Sequence, residues 1–342
     1  MIGQGLTGRN SLAPGSDKGL RRREEMDHMN KTHGWLTPCL AVLLFLVACV
    51  GEEQLERDVA TDPLPEAHAE AGSAESQAGV VIAPDDVPIH YSTYGAGAPA
   101  LVFVHGISCD QGYWRKQVEQ FSRDFQVVTI DLAGHGKSGL GRSEWSMEAY
   151  GDDVVAVVAG LDLQRVVLIG HSMGSPVVLE AARQLTGRVG GIVSVDALGS
   201  LDTWWTPEEI EQVVSPFRDD FVEVTRGWVR GMFTEGSDPA FVEEIVTRMS
   251  SAPPEVALPS LESALTKMYG REVSTALEGL NAPVFVINAD FAPTDVESLE
   301  RHGAEVHIIP ETGHFFMLEK AAVFNSVLSD VVQQLLESDQ SN

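Results

Sequence analysis

Short, nearly continuous apolar runs alternate with amphipathic stretches from about residue 80 onward. Continuous apolarity over a short run is typical of strands that are buried on both faces of a sheet. Amphipathic stretches at 111–122, 146–160 and 321–338 predict helices between and after these runs. The alternation predicts an α/β protein with a mostly parallel sheet and helices on both faces. The apolar runs are residues 100–106, 125–132, 165–172, 190–197, 282–290 and 304–310.

Two segments of this region depart from the alternation. Residues 80–84 and 87–95 flank the turn-forming pair Asp85-Asp86, which predicts a β-hairpin. Residues 200–275 are helical in pattern and contain no buried strand. We interpret this segment as a helical lid over the carboxyl edge of the sheet. The alternative is an ordinary pair of crossover helices whose aromatic side chains only fill the core. The folded domain is expected to cover residues 79–342.

The N-terminal part of the chain has a different pattern. Residues 35–48 form an apolar run that is short for a membrane-spanning helix, which needs about 20 residues. Such a run is typical of the central region of a signal peptide. Residues 1–48 are therefore predicted to be a signal peptide, with Met26 and Met29 as alternative initiators. Residues 50–78 are rich in Glu, Ala, Pro, Ser and Gly, which predicts a disordered acidic linker.

The end of this apolar run, Leu46-Val47-Ala48-Cys49, resembles the lipobox of bacterial lipoproteins. In that motif the cysteine is acylated and becomes the new N-terminus. The resemblance implies that Cys49 is a lipidation site and that the protein is exported and anchored to a bacterial membrane. In a Gram-negative cell this would be the outer membrane, facing the periplasm. The alternative is a cleaved signal or an uncleaved anchor in which Cys49 has no role.

Composition and charge narrow the classes of function. Hydrophobic residues make up 44% of the chain and charged residues 21%, as in ordinary globular proteins. Fifty acidic residues against 23 basic ones give a formal net charge of −27. A surface this acidic repels phosphate backbones, which argues against a nucleic-acid partner. Three cysteines are too few for a disulfide scaffold, and the sequence has no metal-ligand motif, so we expect no metal and no cofactor.

The first motif that carries chemistry is Gly170-His171-Ser172-Met173-Gly174, which matches G-x-S-x-G. It follows an apolar run and precedes a helical stretch, which is the context that the motif requires. On such a turn the serine takes a strained backbone conformation, and glycines on either side keep the strand and helix close. The motif predicts that the Ser172 hydroxyl stands above the sheet edge as a nucleophile.

A second motif, Val104-His105-Gly106-Ile107, ends an earlier apolar run. Gly106 is expected to let the backbone turn so that the N–H of Ile107 points at the serine. Together with the N–H of Met173, this group would form an oxyanion hole that stabilises a tetrahedral intermediate. The side chain of His105 is expected to be structural.

The third motif, residues 313–319 (GHFFMLE), lies between the last predicted strand and the closing helix. A histidine at this place can reach back over the sheet edge to Ser172. The order along the chain, with serine first and histidine last, is the order of this class of catalytic triad. His314 is therefore predicted to be the general base.

Taken together, these features resemble the α/β-hydrolase superfamily from about residue 80 to residue 338. The resemblance covers the strand order, the His-Gly turn, the turn at 131–138 (DLAGHGKS), the elbow, the lid position and the terminal GHFFMLE. It implies an α/β-hydrolase fold, acyl transfer without a cofactor, and a small-molecule substrate.

The acid of the triad has two candidates. Many members of the superfamily carry it in a turn after the penultimate strand, where the expected position in this chain falls on Ala292 and Asp290 comes about two residues early. Another branch carries it after the strand that follows the elbow helix, where this chain has Asp196. We favour Asp196 and keep Asp290 as the alternative. Either carboxylate would orient the histidine and stabilise its imidazolium.

The sequence thus predicts a serine hydrolase for a carboxylic ester, thioester or lactone. The aromatic residues of the lid indicate a small, partly apolar substrate. A hydrolase of carbon–carbon bonds and a cofactor-free perhydrolase would use the same residues, and a non-catalytic, membrane-tethered binding protein is the alternative outside enzymology. The sequence leaves the oligomeric state open.

Overall fold

The computed structural model describes the backbone of residues 76–340 and the side chains of residues 76–337. The predicted signal peptide at 1–48, the predicted lipidation site Cys49 and most of the predicted linker lie outside the described residues. None of the described helices is both long enough and apolar enough to cross a bilayer.

The strands of the described region form one eight-stranded sheet in the order β1-β2-β4-β3-β5-β6-β7-β8. β1 and β2 form the predicted hairpin, β2 pairs antiparallel with β4, and all other neighbours are parallel. The prediction of a mostly parallel α/β sheet is confirmed. The strands are β1 (Ser76–Ile82), β2 (Pro88–Tyr94), β3 (Ala100–Val104), β4 (Val127–Ile130), β5 (Val166–His171), β6 (Val189–Val195), β7 (Val284–Ala289) and β8 (Ala304–Ile309).

The first strand begins at Ser76, three residues before the predicted start of the domain. Ser76, Gln77 and Ala78 pair with residues of β2, and their side chains are exposed. Backbone pairing at a sheet edge needs no apolar side chains, so the hydrophobic pattern could not mark this strand start.

Helices occupy most of the remaining described chain. A 3₁₀ turn at Gln111–Trp114 leads into the first helix, and another follows the lid helices at Arg271–Thr275. The helices are α1 (Arg115–Phe121), α2 (Met147–Gly160), α3 (Gly174–Gln184), α4 (Pro207–Asp219), α5 (Phe221–Arg230), α6 (Pro239–Ser250), α7 (Pro254–Tyr269), α8 (Val296–Arg301), α9 (Phe316–Glu319) and α10 (Ala321–Gln340).

The core lies around the central parallel strands. Every residue of β3, β4, β5 and β7 is buried, as their continuous apolarity predicts. Helix α2 packs with α3, and α1 packs with α10, so that helices cover both faces of the sheet. With both faces covered, the carboxyl edge of the sheet is where loops can carry chemistry.

The lid segment, residues 200–275, contains the four helices α4 to α7. Local sequence starts three of them: Thr206 and Glu209 form a capping box at α4, Asp220 caps α5, and Asp238 caps α6 just before Pro239. The caps break the segment into short helices instead of one long one.

The lid contacts three parts of the carboxyl edge. Arg248 of α6 pairs with Asp110 in the loop after β3, with Nη2 2.5 Å from Oδ2. The hydroxyl of Ser263 of α7 accepts a hydrogen bond from the backbone N–H of Met147 at the start of α2. The carbonyl of Met232, after α5, accepts a hydrogen bond from the N–H of His314. These contacts place the lid beside the loop after β3, the start of α2 and the loop that carries His314.

Candidate active site

Ser172 follows β5 at a sharp turn into α3. Its φ angle is +52°, a left-handed conformation that is strained for a residue other than glycine. The glycines around it are required by close packing. A Cβ on Gly170 would lie 2.2 Å from the carbonyl oxygen of Gly174, and one on Gly174 would lie 2.5 Å from that of Val104. The structure therefore has the elbow geometry that the G-x-S-x-G motif predicts.

The base of the elbow is held by hydrogen bonds to neighbouring strands and turns. The N–H of Ser172 donates to the carbonyl of Val195 at the end of β6, at 2.8 Å. The Ser175 hydroxyl, fully buried below the turn, donates to the carbonyl of Gly170 at 2.7 Å. The position of Ser172 is thus fixed by its backbone, and its side chain is left half-buried at the edge.

Asp196 and His314 meet at the same edge. Nδ1 of His314 donates to Oδ2 of Asp196 at 2.5 Å, and the two side chains are only 10% and 7% exposed. The other carboxylate oxygen of Asp196 accepts the N–H of Ala289 at 2.8 Å, which fixes the direction of the carboxylate. With Nδ1 donating to the acid, Nε2 of His314 carries the free lone pair of a base.

His171 ties the elbow to the histidine loop. Its Nε2 donates to the backbone carbonyl of His314 at 3.0 Å, and the two imidazole rings are 4.5 Å apart. Because Ser172 is the next residue, this contact holds the elbow beside the loop that carries His314. Neither Ser172 Oγ nor His314 Nε2 has a hydrogen-bond partner within the described residues, so neither group is occupied by another part of the described chain.

Asp290, the alternative acid, points elsewhere. Its two oxygens accept the backbone N–H groups of Glu311 and Thr312, at 3.0 and 3.3 Å. These hydrogen bonds hold the pKa of Asp290 below its usual value. Glu311 has a φ of +58°, so Asp290 supports a strained turn two to three residues before His314. The structure brings Asp196 to the imidazole and leaves Asp290 as a support of its loop.

The loop after β3, residues 105–110, carries the predicted oxyanion donor Ile107. The buried His105 ring accepts the N–H of Leu132 at Nε2, and its Nδ1 donates to the carbonyl of Gly106 at 2.7 Å. That carbonyl belongs to the same peptide unit as the N–H of Ile107, so the hydrogen bond from His105 is one constraint on the direction of this N–H. Neither Ile107 N–H nor Met173 N–H is used in a hydrogen bond within the described residues.

Gly106 has a more limited role than the sequence suggested. Its φ does not lie in the left-handed region, and the loop instead turns at Ser108, whose φ is +54°. A Cβ on Gly106 would lie 3.1 Å from Cβ of Ser172 and 3.1 Å from Nδ1 of His171. The glycine therefore gives room for the loop to approach the serine closely.

Three further histidines near the edge are held neutral. Burial keeps the pKa of His105 below its ordinary value and lowers that of His135 to about 3. Burial first, and the neighbouring His314 second, lower the pKa of His171 well below 6.5. Each ring also binds a backbone group, so these imidazoles act as fixed structural elements around the site.

Sequence reasoning missed the contribution of His171 and the strain at Asp196. His171 occupies the variable position of G-x-S-x-G, and the motif says nothing of its partner. Asp196 has a φ of +50°, and no local sequence pattern predicts this conformation. Ser108, Ser172, Asp196 and Glu311 are four of the six described residues other than glycine with positive φ. Such clustering of strain is common at functional sites.

Aromatic side chains surround the histidine. The ring of Phe291 lies 6.2 Å from that of His314 with its edge toward it, and Phe315 lies 5.2 Å away. Phe233, from the lid, stacks on Phe315 at 5.2 Å. The site is thus bounded by apolar surface from both the lid and the sheet edge. Within the described part of the chain, no group of His, Cys, Asp or Glu side chains could hold a metal ion.

Comparison with curated proteins gives relatives of several activities. The chain is 24% identical over 260 residues to 3-oxoadipate enol-lactonase 2 of Acinetobacter baylyi, covering 73% of this chain and 94% of that protein. It is 35% identical over 147 residues to a non-heme haloperoxidase of Rhodococcus erythropolis, covering 42% and 53%. An uncharacterized protein of Mycobacterium tuberculosis is 33% identical over 105 residues, and the match spans only 30% of its length.

Solved structures share the fold over most of the chain. An esterase from Thermogutta terrifontis superimposes with a TM-score of 0.64 at 22% identity, covering 76% of this chain and 99% of that one. Est816, described as an N-acyl homoserine lactone degrading enzyme, superimposes with a TM-score of 0.60 at 26% identity, covering 74% and 99%.

The sequence profile of the alpha/beta hydrolase family matches residues 101–327, which include the β3 loop, the elbow, the lid and His314. The match covers more than half of the chain and agrees with the sheet order described above. The protein belongs to the alpha/beta hydrolase family.

Proposed function

We propose that the protein cleaves a carboxylic ester, thioester or lactone of a small, partly apolar compound through an acyl-enzyme. One observation carries the proposal: the hydrogen bond from His314 Nδ1 to Asp196, formed beside the elbow that presents Ser172. A nucleophile, a base and a group that orients the base are the three parts that such a reaction requires.

In the proposed mechanism, His314 Nε2 takes the hydroxyl proton of Ser172 while Oγ attacks the carbonyl carbon. The N–H groups of Ile107 and Met173 stabilise the negative charge that develops on the carbonyl oxygen. Asp196 holds the imidazole in the tautomer with Nδ1 protonated and stabilises the imidazolium. The leaving oxygen or sulfur then takes the proton from Nε2, and an acyl-serine remains. Water, deprotonated by the same imidazole, releases the carboxylic acid and restores the serine.

The substrate class rests on relatives and on the apolar surroundings. The names of the Acinetobacter relative and of Est816 both refer to lactones, and the Thermogutta structure is an esterase. Two half-buried rings near His314, Phe291 edge-on to it and Phe233 stacked on the neighbouring Phe315, favour a substrate with an apolar portion. A lactone would release no separate alcohol, because both halves of the cleaved bond stay in one molecule.

The test is turnover of p-nitrophenyl butyrate and of γ- and δ-lactones. The proposal expects hydrolysis by the wild-type protein, with Ser172→Ala reducing the rate to background. Ser274→Ala is the matched control, because its exposed hydroxyl only bonds the carbonyl of Arg271 and is expected to leave the rate unchanged. Full activity of Ser172→Ala would refute the proposal. Absence of turnover by the wild-type protein on the whole ester and lactone panel would favour the binding-protein alternative.

The haloperoxidase relative favours a second activity at the same residues. In a perhydrolase, hydrogen peroxide replaces water in the attack on the acyl-serine, and a peracid forms. The measurement is bromination of a dione reporter in the presence of peroxide, acetate and bromide. Loss of this activity in Ser172→Ala would assign it to the proposed site, and its retention would assign it elsewhere.

For localisation we propose export and lipid anchoring at Cys49, supported by the lipobox-like sequence that precedes this residue. The test is fractionation of bacterial cells that express the full chain, together with metabolic labelling by a clickable fatty acid. The proposal expects label and membrane association for the wild-type chain and their loss in Cys49→Ser. Equal labelling of both chains would contradict it.

A further inference from the structure

The β3 loop, residues 105–110, is anchored differently at its two ends. At its start, His105 is fully buried and binds backbone groups of the protein body. In the middle, Ser108 is strained, and its N–H donates to His135 Nε2 at 3.3 Å, near the limit of a hydrogen bond. The far end therefore needs its own anchor if the N–H of Ile107 is to keep one direction.

Asp110 is the last residue of the loop and anchors its far end to the lid, while the next residue, Gln111, donates two hydrogen bonds to Asp131. Its Oδ1 accepts the N–H of Gly112 at 2.8 Å and starts the 3₁₀ turn that follows. Its Oδ2 accepts Nη2 of Arg248 at 2.5 Å. One carboxylate thus joins the loop that holds the oxyanion donor to lid helix α6.

Arg248 is itself held in place from two directions. Its guanidinium lies over the buried ring of Tyr113, 5.1 Å from the ring centre, and Nη1 is 3.6 Å from Glu244 one helical turn away. The Arg248 and Asp110 side chains are 37% and 29% exposed, so solvent screens their attraction. The effect of this pair is therefore expected to be on geometry more than on overall stability.

From this arrangement we infer that Arg248 is a positioning residue, which fixes the Ile107 N–H through Asp110 and so couples the seating of the lid to the oxyanion hole. The inference rests on the serine-hydrolase function proposed above. Arg248 does not touch the reacting atoms in this account. It keeps the last part of the loop in the conformation that points the N–H toward the carbonyl oxygen.

The kinetic consequence is specific. The Ile107 N–H contacts a charge that exists only in the transition state, so a poorly placed donor lowers kcat and leaves KM nearly unchanged. Removing one oxyanion donor costs about 10²–10³-fold in rate, and a donor that is only displaced is expected to cost on the order of 10-fold. A merely structural arginine would lower the melting temperature and leave the kcat of the folded fraction intact.

The experiment compares Arg248→Ala, Arg248→Lys and Asp110→Asn with wild type on p-nitrophenyl butyrate. Asn keeps an oxygen for the Gly112 N–H and replaces the oxygen that accepts from Arg248 with an NH2 group, so Asp110→Asn remains informative should the alanine variant fold poorly. Arg230→Ala is the matched control: Arg230 pairs with Glu243 at 2.9 and 3.0 Å between two lid helices and makes no contact with the β3 loop.

We expect Arg248→Ala and Asp110→Asn to lose about 10-fold in kcat and in the rate of fluorophosphonate labelling, with KM within about twofold. Arg248→Lys should recover part of the loss, the double variant should be no worse than either single one, and Arg230→Ala should match wild type. If both loop-to-lid variants keep wild-type kcat, or change KM alone, the inference is wrong. Failure of the proposed function would look different, because wild type itself would then show no activity dependent on Ser172.

Discussion

Two carboxylates of this protein lie one strand apart, and their surroundings give them different roles. Asp196 follows β6, accepts one backbone N–H and meets the imidazole of His314 with its other oxygen. Asp290 follows β7, and both of its carboxylate oxygens accept hydrogen bonds from backbone N–H groups of the turn before His314. On the proposed mechanism the first orients the base and the second supports the loop that carries it.

Exchanging each carboxylate for an amide should separate these roles. Asp196→Asn reverses the donor pattern at Nδ1 and favours the wrong tautomer of His314, so we expect kcat to fall by about 10³–10⁴-fold with a small change in stability. Asp290→Asn keeps one acceptor for the turn and should lose less than about 10-fold. Steady-state kinetics on an activated ester, with unfolding curves for both variants, make the measurement. A larger loss in Asp290→Asn than in Asp196→Asn would reverse the assignment.

For single residues, the sequence predicts the role of those that stand in a short motif, and it does not predict contacts between distant parts of the chain. Ser172 and His314 stand in short patterns whose chemistry is local, so their places could be predicted. The choice between Asp196 and Asp290 depends on the path of the chain after β6 and β7 and on a positive φ at Asp196, neither of which a local pattern contains. The partner of His171 lies 143 residues away and was equally inaccessible.

At the scale of elements, the elbow depends on how closely α3 approaches β3. A methyl group on Gly174 would lie 2.5 and 2.8 Å from the carbonyl oxygens of Val104 and His105. We expect Gly174→Ala to destabilise the protein by about 1–3 kcal/mol, because strand and helix must move apart. Gly227→Ala in α5 is the control: apart from neighbouring backbone of its own helix, no atom lies within 4 Å of the new methyl group, and we expect a gain of about 0.5–1 kcal/mol from helix propensity. Urea unfolding measures both, and equal effects would contradict the packing argument.

The buried side chain of Arg142 links its own loop to α2 and to the β1–β2 turn, on the side of the sheet near the hairpin. Arg142 binds Asp153 of α2 with Nη2 2.5 Å from Oδ1, and binds Asp85 in the β1–β2 turn at 2.7 Å. Burial raises the pKa of Asp153 to about 6 in spite of the arginine. Arg142→Ala leaves this carboxylate buried without its partner, so we expect a loss of about 3–5 kcal/mol in the free energy of unfolding.

The control for this variant is Arg226→Ala, which breaks an exposed pair with Glu223 within α5. It should change the free energy of unfolding little, since solvent screens such pairs. Equal losses in Arg142→Ala and Arg226→Ala would show that burial does not decide the effect. Apolar periodicity predicted the strands and helices that Arg142 connects, but the pairing itself depends on tertiary approach and could not be predicted.

For the whole molecule, buried neutral histidines predict a dependence of stability on pH. His135 has a pKa of about 3 in the folded protein against about 6.5 in the unfolded chain. Between pH 6.5 and 3, the unfolded chain therefore binds a proton at this residue that the folded protein does not bind. The free energy of unfolding therefore falls as the pH drops from 6.5 toward 3, by up to about 1.4 kcal/mol per pH unit for this residue. Asp153, with its raised pKa, contributes the opposite slope between about pH 4 and 6.

Comparison of wild type with His135→Asn isolates the histidine, because Asp153 contributes equally to both. Urea unfolding between pH 6.5 and 4.5 should show a shallower loss of stability in the variant. Parallel lines for the two proteins would mean that His135 is protonated in the folded state.

The acidic composition and the fold are both properties of the whole molecule. From the excess of acidic residues we expect no nucleic-acid partner, and the parallel sheet places the three motif loops at one edge. The hydrophobic pattern was sufficient to predict this arrangement because both faces of the sheet are covered, so that β3, β4, β5 and β7 are mostly apolar and buried along their whole length. The first described strand begins at Ser76, before the predicted start of the domain at residue 79, and the pattern could not show this because β1 is an exposed edge strand.

Fluorophosphonate labelling followed by peptide mapping tests the central claim most directly, because the probe reacts with a serine only when a base activates it. We predict one modified residue, Ser172, in the wild-type protein, no modification in Ser172→Ala, and strongly slowed labelling in His314→Ala. Labelling of Ser172→Ala at the wild-type rate, or wild-type labelling in His314→Ala, would contradict the claim.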